Sequence, residues 1–187
     1  MNVKDTIETR RAFRSLEKIE INPELIRDLA RMAQIAPSCS NLQPWNYIFI
    51  YNKNQLEKLF STLTSGNKWV ESASMIIAVF SNPKKDCIIK ERKYYLFDTG
   101  LATAFIILRA TELGLIAHPI AGFNEEQAKE ILEIPKEMRL ITLVIIGKHS
   151  KEINPVLSKP MQLGEKQRPP RKALNEFVFL NSFNNKI

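Results

Sequence analysis

Asp98-Thr99-Gly100-Leu101-Ala102-Thr103-Ala104-Phe105-Ile106-Ile107-Leu108-Arg109-Ala110-Thr111-Glu112-Leu113 reads as a helix that is apolar almost all round, with Gly114 placed as its C-cap. A surface helix carries one apolar stripe, so a helix with this little polar surface belongs in the middle of the molecule or in a large subunit interface. Before it, Ser74-Met75-Ile76-Ile77-Ala78-Val79-Phe80 is a continuous apolar run of strand length, ended by Ser81-Asn82-Pro83. After it, Leu140 to Gly147 repeats that pattern. Such runs suit strands covered on both faces, so the helix and its flanking strands predict helices on both sides of a mixed sheet.

The remaining elements extend this frame. Asn22 caps a helix that starts at Pro23, carries Leu25, Ile26, Leu29, Met32 and Ala33 at helical spacing, and stops before Pro37. Asn46 to Tyr51 reads as a strand, residues 54 to about 63 as a short helix, and Leu115 to Gly122 as an extended piece. Asn124 caps a further helix, with Gln127 completing a capping-box-like pattern. From Ser150 to Arg171 the chain is Pro-rich, polar and basic, the composition of a long ordered loop or arm, and Phe177-Val178-Phe179-Leu180 is expected to pair with a sheet edge.

At 187 residues and 44% hydrophobic content, one domain over residues 1–187 is expected. No run approaches a membrane span and no secretory or lipidation signal is visible, which predicts a soluble cytoplasmic protein. Cys39 and Cys87 are expected to be free thiols, and His118 and His149 have no partners at ligand spacing, so no metal site is predicted. There is no glycine-rich dinucleotide fingerprint, no P-loop and no internal repeat. The net charge of +7 gathers in two places, Arg10 to Arg14 and Lys166 to Lys172. Basic clusters at opposite ends of a chain could meet around one small anion, although solvated basic faces are the commoner explanation of each.

Particular words go further than periodicity. Thr9-Arg10-Arg11-Ala12-Phe13-Arg14-Ser15-Leu16 resembles the R-R-S-x-R-x-F opening of the nitroreductase family, and Ala36-Pro37-Ser38-Cys39-Ser40-Asn41-Leu42-Gln43-Pro44-Trp45 resembles its A-P-S-x-x-N-x-Q-P-W. Asp98-Thr99-Gly100-Leu101-Ala102 through Gly114-Leu115 resembles the family's central helix, and Pro119-Ile120-Ala121-Gly122-Phe123 its P-x-x-G-F turn. Ile131 to Pro135 and Arg171 to Phe177 resemble two further words, all in family order.

The resemblance implies an α+β sandwich in a homodimer, with residues from about 150 to 187 as an arm exchanged between subunits. It implies an FMN-dependent oxidoreductase that takes hydride from NADH or NADPH and passes it to a small-molecule acceptor such as a nitroaromatic or quinone. Nucleic acid and membranes are not expected partners. By the resemblance, Arg10, Arg11, Ala12 and Arg14 meet the FMN phosphate, and Arg168 or Arg171 returns to it from the arm. Pro37, Ser38, Ser40, Asn41 and Gln43 face the flavin of the other subunit, Asn67 bonds the ring, and Pro119, Ile120, Ala121 and Gly122 run past its reactive edge. No side chain is nominated as a catalytic acid or base.

Departures from the pattern are visible as well. Ala12 replaces a phosphate-contacting Ser, Ala121 stands where some members have Glu, and little chain lies between Gly66 and Asp98 to build a lid. Two other readings stay open: a specialised flavin enzyme of the same fold, such as a dehalogenase or dehydrogenase, and a basic flavin- or nucleic-acid-binding protein without turnover.

Overall fold

The fold is taken from a computed structural model, which describes residues 2–85 and 87–187. Helix α1 spans Val3–Thr9 and the short strand β1 Leu16–Glu17. Helix α2, Pro23–Gln34, opens where the sequence predicts, with the Asn22 side chain accepting from the Leu25 N–H. Strand β2 is Trp45–Ile50, α3 is Lys53–Phe60 and β3 is Met75–Ser81. Helix α4 runs from Tyr94 to Glu112, one turn earlier than its apolar core suggests, and Gly114 follows it at φ 75°, as a left-handed residue. Strand β4 is Leu115–Ile120, α5 is Glu125–Ile131 with Asn124 accepting from the Gln127 N–H, and β5 is Arg139–His149.

The α+β sandwich stands, and its sheet is purely antiparallel rather than mixed. β5 pairs with β3 on one side and β4 on the other, β1 pairs with the end of β5, and β2 pairs with β3, every ladder antiparallel. β3 and β4 run in the same direction and are joined by α4, the connection that suggests a parallel pair in sequence. β5 lies between them, so the two never share a ladder. Pro119 fits because β4 is an edge strand, paired only with β5.

Alternation along β3 and β5 divides the core into two layers. Met75, Ile77, Val79, Val144 and Ile146 pack with Leu29 and Ala33 of α2 and Ala102, Ile106 and Ala110 of α4. Ile76, Ala78, Leu143 and Ile145 pack on the opposite face with Leu56 and Leu59 of α3, Trp69 and Ala128 of α5. Because both faces of these strands are covered, their sequences are continuously apolar.

The stretch read as a long ordered loop or arm contains a helix that its composition does not announce. Lys159–Lys166 is a helix, α6, started by Pro160 in its first turn, and Glu165 is its buried residue. Phe177 to Leu180 does not reach the sheet edge; residue Phe179 bridges to Lys186 within the same terminal segment. Leu174, Phe177, Leu180, Phe183 and Ile187 remain exposed there. Cys39 and Cys87 are joined in a disulfide with Cα atoms 5.9 Å apart, which corrects the expectation of free thiols. A separation of 48 residues carries no sign of this pairing; it arises because the loop after α2 and the segment before α4 meet in space.

Candidate functional site

Residues 10–15 form an extended segment rather than a helix, so Arg10 and Arg14 are not an i,i+4 pair on a solvated face. Helix α1 ends at Arg10, whose N–H closes on the Thr6 carbonyl. The extended segment is pinned from three directions. The Glu165 carboxylate of α6 accepts the Arg14 N–H at 2.9 Å and the Ser15 N–H at 3.0 Å. His118 of β4 meets the Phe13 carbonyl through Nδ1 at 3.1 Å, and the Ser15 hydroxyl accepts the Asn154 N–H at 3.0 Å. Phe13 also stacks on His149, with ring centroids 3.6 Å apart.

This anchoring brings both basic clusters to one place. A cavity of about 160 Å³ is lined by Arg10, Arg11, Ala12 and Arg14 from the N-terminal segment and by Gly164, Arg168, Pro169 and Arg171 from the arm. Five arginines line it and, among the described residues, no acidic side chain does. Arg168 donates to the Glu8 and Arg10 carbonyls, the latter at 3.0 Å, so it caps the end of α1, and Arg11 donates to the Gly164 carbonyl. Burial, and then repulsion from Arg168 and Arg171, push the Arg10 pKa down. A concave set of guanidinium forks of this kind can neutralise a small dianion.

A second strip continues from this cavity. Arg14 lies over the Trp69 ring at 5.9 Å, and Trp69 packs on His118 at 4.7 Å between centroids. Burial holds His118 at a pKa of about 4, with Arg14 and Arg10 also disfavouring a further positive charge, so the imidazole is neutral at pH 7. The Asn67 amide donates to the Gly122 carbonyl at 2.9 Å and accepts the Trp69 indole N–H at 3.2 Å. Thr64 adds its N–H at 3.0 Å and its hydroxyl at 3.1 Å to the same carbonyl. A Cβ on Gly122 would lie 2.5 Å from Asn67 Nδ2 and 2.6 Å from Thr64 Oγ1, so glycine is what lets the chain pass here. Of the neighbouring positions, Ile120 is buried, whereas Pro119 and Ala121 are exposed.

The loop holding Pro37, Ser38, Ser40, Asn41 and Gln43 does not line the arginine cavity of its own chain. It lies against the start of α4, with the Cys39 N–H donating to buried Asp98 at 3.0 Å. Ser40, Asn41 and Gln43 all take positive φ, at 49°, 55° and 49°. Non-glycine residues in that region cost about 1–3 kcal/mol each and cluster at functional sites. The Ser38 hydroxyl accepts the Gln43 N–H, and the Gln43 amide donates to the Asn41 side chain, so the loop holds its own shape while facing outward.

Glu165, His118, Thr64 and Trp69 are site residues the sequence reading did not nominate. The one available signal was Glu165, an isolated acid inside the basic arm. Among the described residues no group of acidic, His and Cys side chains could hold a metal, and no helix is long and apolar enough to cross a membrane.

The model of the Nitroreductase family matches residues 7–68 and 61–148. The chain belongs to the nitroreductase family. It is similar to a protein of Archaeoglobus fulgidus that bears the inferred name NADH dehydrogenase/NAD(P)H nitroreductase, 29% identical over 147 residues, covering 75% of this chain and 82% of that one. An oxygen-insensitive NADPH nitroreductase of Helicobacter acinonychis is 21% identical over 193 residues, covering 84% and 92%. Among solved structures, a nitroreductase family protein from Clostridium difficile 630 superposes with a TM-score of 0.78 at 25% identity, over 98% of this chain and 100% of that one. A structure described as an oxidoreductase containing FMN superposes at 0.85 and 24% identity, over 100% and 95%. This member of the family is an oxidoreductase with the family's α+β fold.

Proposed function

We propose that the chain is a homodimeric, cytoplasmic FMN-dependent oxidoreductase that takes hydride from NADH or NADPH and reduces an acceptor such as a nitroaromatic or quinone. The observation that carries this reading is the convergence of five arginines from both ends of the chain on one small cavity without an acid. The lowered Arg10 pKa marks a site whose charge a phosphate dianion would relieve, which is the fit expected for FMN. Also in support, one structure of this fold is described as containing FMN, and relatives bear NAD(P)H nitroreductase names.

Arg10, Arg14 and Arg171 would hold the phosphate bidentately, with Arg168 ordering the Arg10 carbonyl and Arg11 tying the arm at Gly164. Ala12 offers no hydroxyl, so the arginines carry that charge. The Gly122 carbonyl, held by Thr64 and Asn67, fixes the strip from Pro119 to Gly122, so that its backbone can lie close to the ring edge. Asn67 would support this strip through its bond to the Gly122 carbonyl, and its second amide N–H would remain to meet the ring. FMN, when bound, supplies the two-electron chemistry, alternately oxidised and reduced in a ping-pong cycle. Neutral His118 adds no positive charge to the strip.

A dimer accounts for what one chain leaves open. The outward face of α4 presents Phe97, Gly100 and Ala104 to solvent, and the terminal arm exposes large apolar side chains. Association through α4 would carry the 37–43 loop of one subunit to the cofactor of its partner, and the arm's terminal segment would cover the partner's surface. In a reducing cytoplasm the Cys39–Cys87 bond would form only transiently.

The test is the colour of the purified protein, flavin absorbance and mass spectrometry of the released ligand. FMN is the expected mass, and donor oxidation should depend on an added acceptor. Arg10→Ala with Arg14→Ala should give a folded, largely colourless dimer; full flavin occupancy in that variant would count against the clamp.

A further inference from the structure

Next to the Ala121 strip lies a cavity of about 730 Å³, which is within the range of small-molecule sites. Its inner wall is apolar and aromatic, formed by buried Tyr95 and Leu140, half-buried Phe123 and exposed Leu96. Its outer wall is the tight turn before α4, closed by an antiparallel bridge between Ile89 and Arg92, with Lys90 at φ 58°. The turn and the residue after it place Lys90, Glu91, Arg92 and Lys93 on the cavity.

The charges here do not cancel. Glu125, the other acid of the lining, is committed: its carboxylate pairs with Arg139 at 3.3 Å and accepts the Leu140 N–H at 3.1 Å. That leaves Lys90, Arg92 and Lys93 against Glu91, three positive charges to one negative, with no ion pair to any of them among the described residues. An apolar wall facing a rim with more cations than acids is complementary to a ring that carries an anion, and the Arg92 fork matches a carboxylate or phosphate bidentately.

We propose that this cavity selects planar ring substrates bearing a carboxylate or phosphate, with the ring against Tyr95, Leu96 and Phe123 and the anion at Lys90, Arg92 and Lys93. The inference deepens the oxidoreductase reading and rests on it for the position of the ring beside the cofactor. The anionic ligand could be a carboxylated electron acceptor or the phosphate-bearing end of the nicotinamide donor.

The experiment uses FMN-loaded wild type and a Lys90→Gln, Arg92→Gln, Lys93→Gln variant, with flavin content and circular dichroism as the check on folding. Calorimetric titration and kcat/KM are measured for 4-nitrobenzoate against neutral 4-nitrobenzamide, and binding for adenosine monophosphate against adenosine. An acceptor source predicts that wild type favours 4-nitrobenzoate by about tenfold, that salt erodes the preference, and that the variant brings the ratio near one. A donor source predicts the same pattern for adenosine monophosphate alone, with a raised KM for NADH and NADPH in the variant. Wild type that favours the anion in neither pair overturns the proposal, as does a preference that the variant retains. Protein that binds no FMN and oxidises no donor overturns the oxidoreductase reading instead. Calorimetry with the nitrobenzoate pair then still decides the anion pocket by the same ratio.

Discussion

Replacing Glu165 tests whether a buried carboxylate in the arm builds the arginine cavity. Its side chain is 3% exposed and accepts two main-chain N–H groups, those of Arg14 and Ser15, at 2.9 and 3.0 Å. A hydrogen bond to a charged group contributes about 1.5–3 kcal/mol, so the pair together is worth at most about 3–6 kcal/mol. Ser15 is buried and its N–H would be stranded, whereas Arg14 is half-buried and water could reach its N–H. The expected cost of Glu165→Ala is therefore near the lower bound, about 3 kcal/mol. For a chain of this size that corresponds to a fall of about 6–12 °C in the unfolding midpoint at fixed protein concentration. Glu165→Gln keeps one acceptor oxygen but turns an amide against the other N–H, and is expected to lose about 2 kcal/mol. Because the two bonds also hold Arg10 to Arg14 in place, flavin affinity should fall too, by up to about a hundredfold if the whole loss is spent on re-docking the segment. Thermal circular dichroism and flavin fluorescence titration read the two effects separately. A Glu165→Ala protein within about 1 °C of wild type, with unchanged flavin affinity, would refute the assignment.

Three other outcomes are expected. His118 has a folded pKa of about 4 against 6.5 unfolded, so the unfolded chain takes up the proton first as pH falls. Its contribution is present above pH 6.5 and is lost on descending to about pH 4, up to about 3 kcal/mol; urea titrations across that range should show this acid limb flattened in His118→Asn. Gly122→Ala places a methyl carbon against Asn67 and Thr64; overpacking of about 1–3 kcal/mol should weaken flavin binding more than it lowers the unfolding midpoint, and equal losses would point to a structural role only. Ala104→Glu lies on the exposed face of α4, so it should leave a folded monomer by analytical ultracentrifugation, with flavin lost along with the partner's loop; a coloured, intact dimer would place the interface elsewhere.

Much of the molecule is legible in its sequence. Helix caps at Asn22 and Asn124, the doubly apolar strands around Ile77 and Val144, and the all-apolar face of α4 are properties of short windows, and each lies where its window puts it. The strip near Gly122 was legible only as a word, whereas the arginines also showed as two basic clusters at opposite ends of the chain. What neighbouring residues could not disclose is what depends on the path of the chain. The insertion of β5 between β3 and β4 made the sheet antiparallel, and the disulfide joined positions 48 apart. Glu165 reached back about 150 residues to hold Arg14 and Ser15. Local periodicity and capping report the energetics of one element at a time, so the sequence by itself determined the core helices and strands and their buried faces, but not α6 or the course of the terminal segment. The charge balance of a cavity is a sum over residues from distant segments, and only the tertiary structure decided which cations would share one cavity.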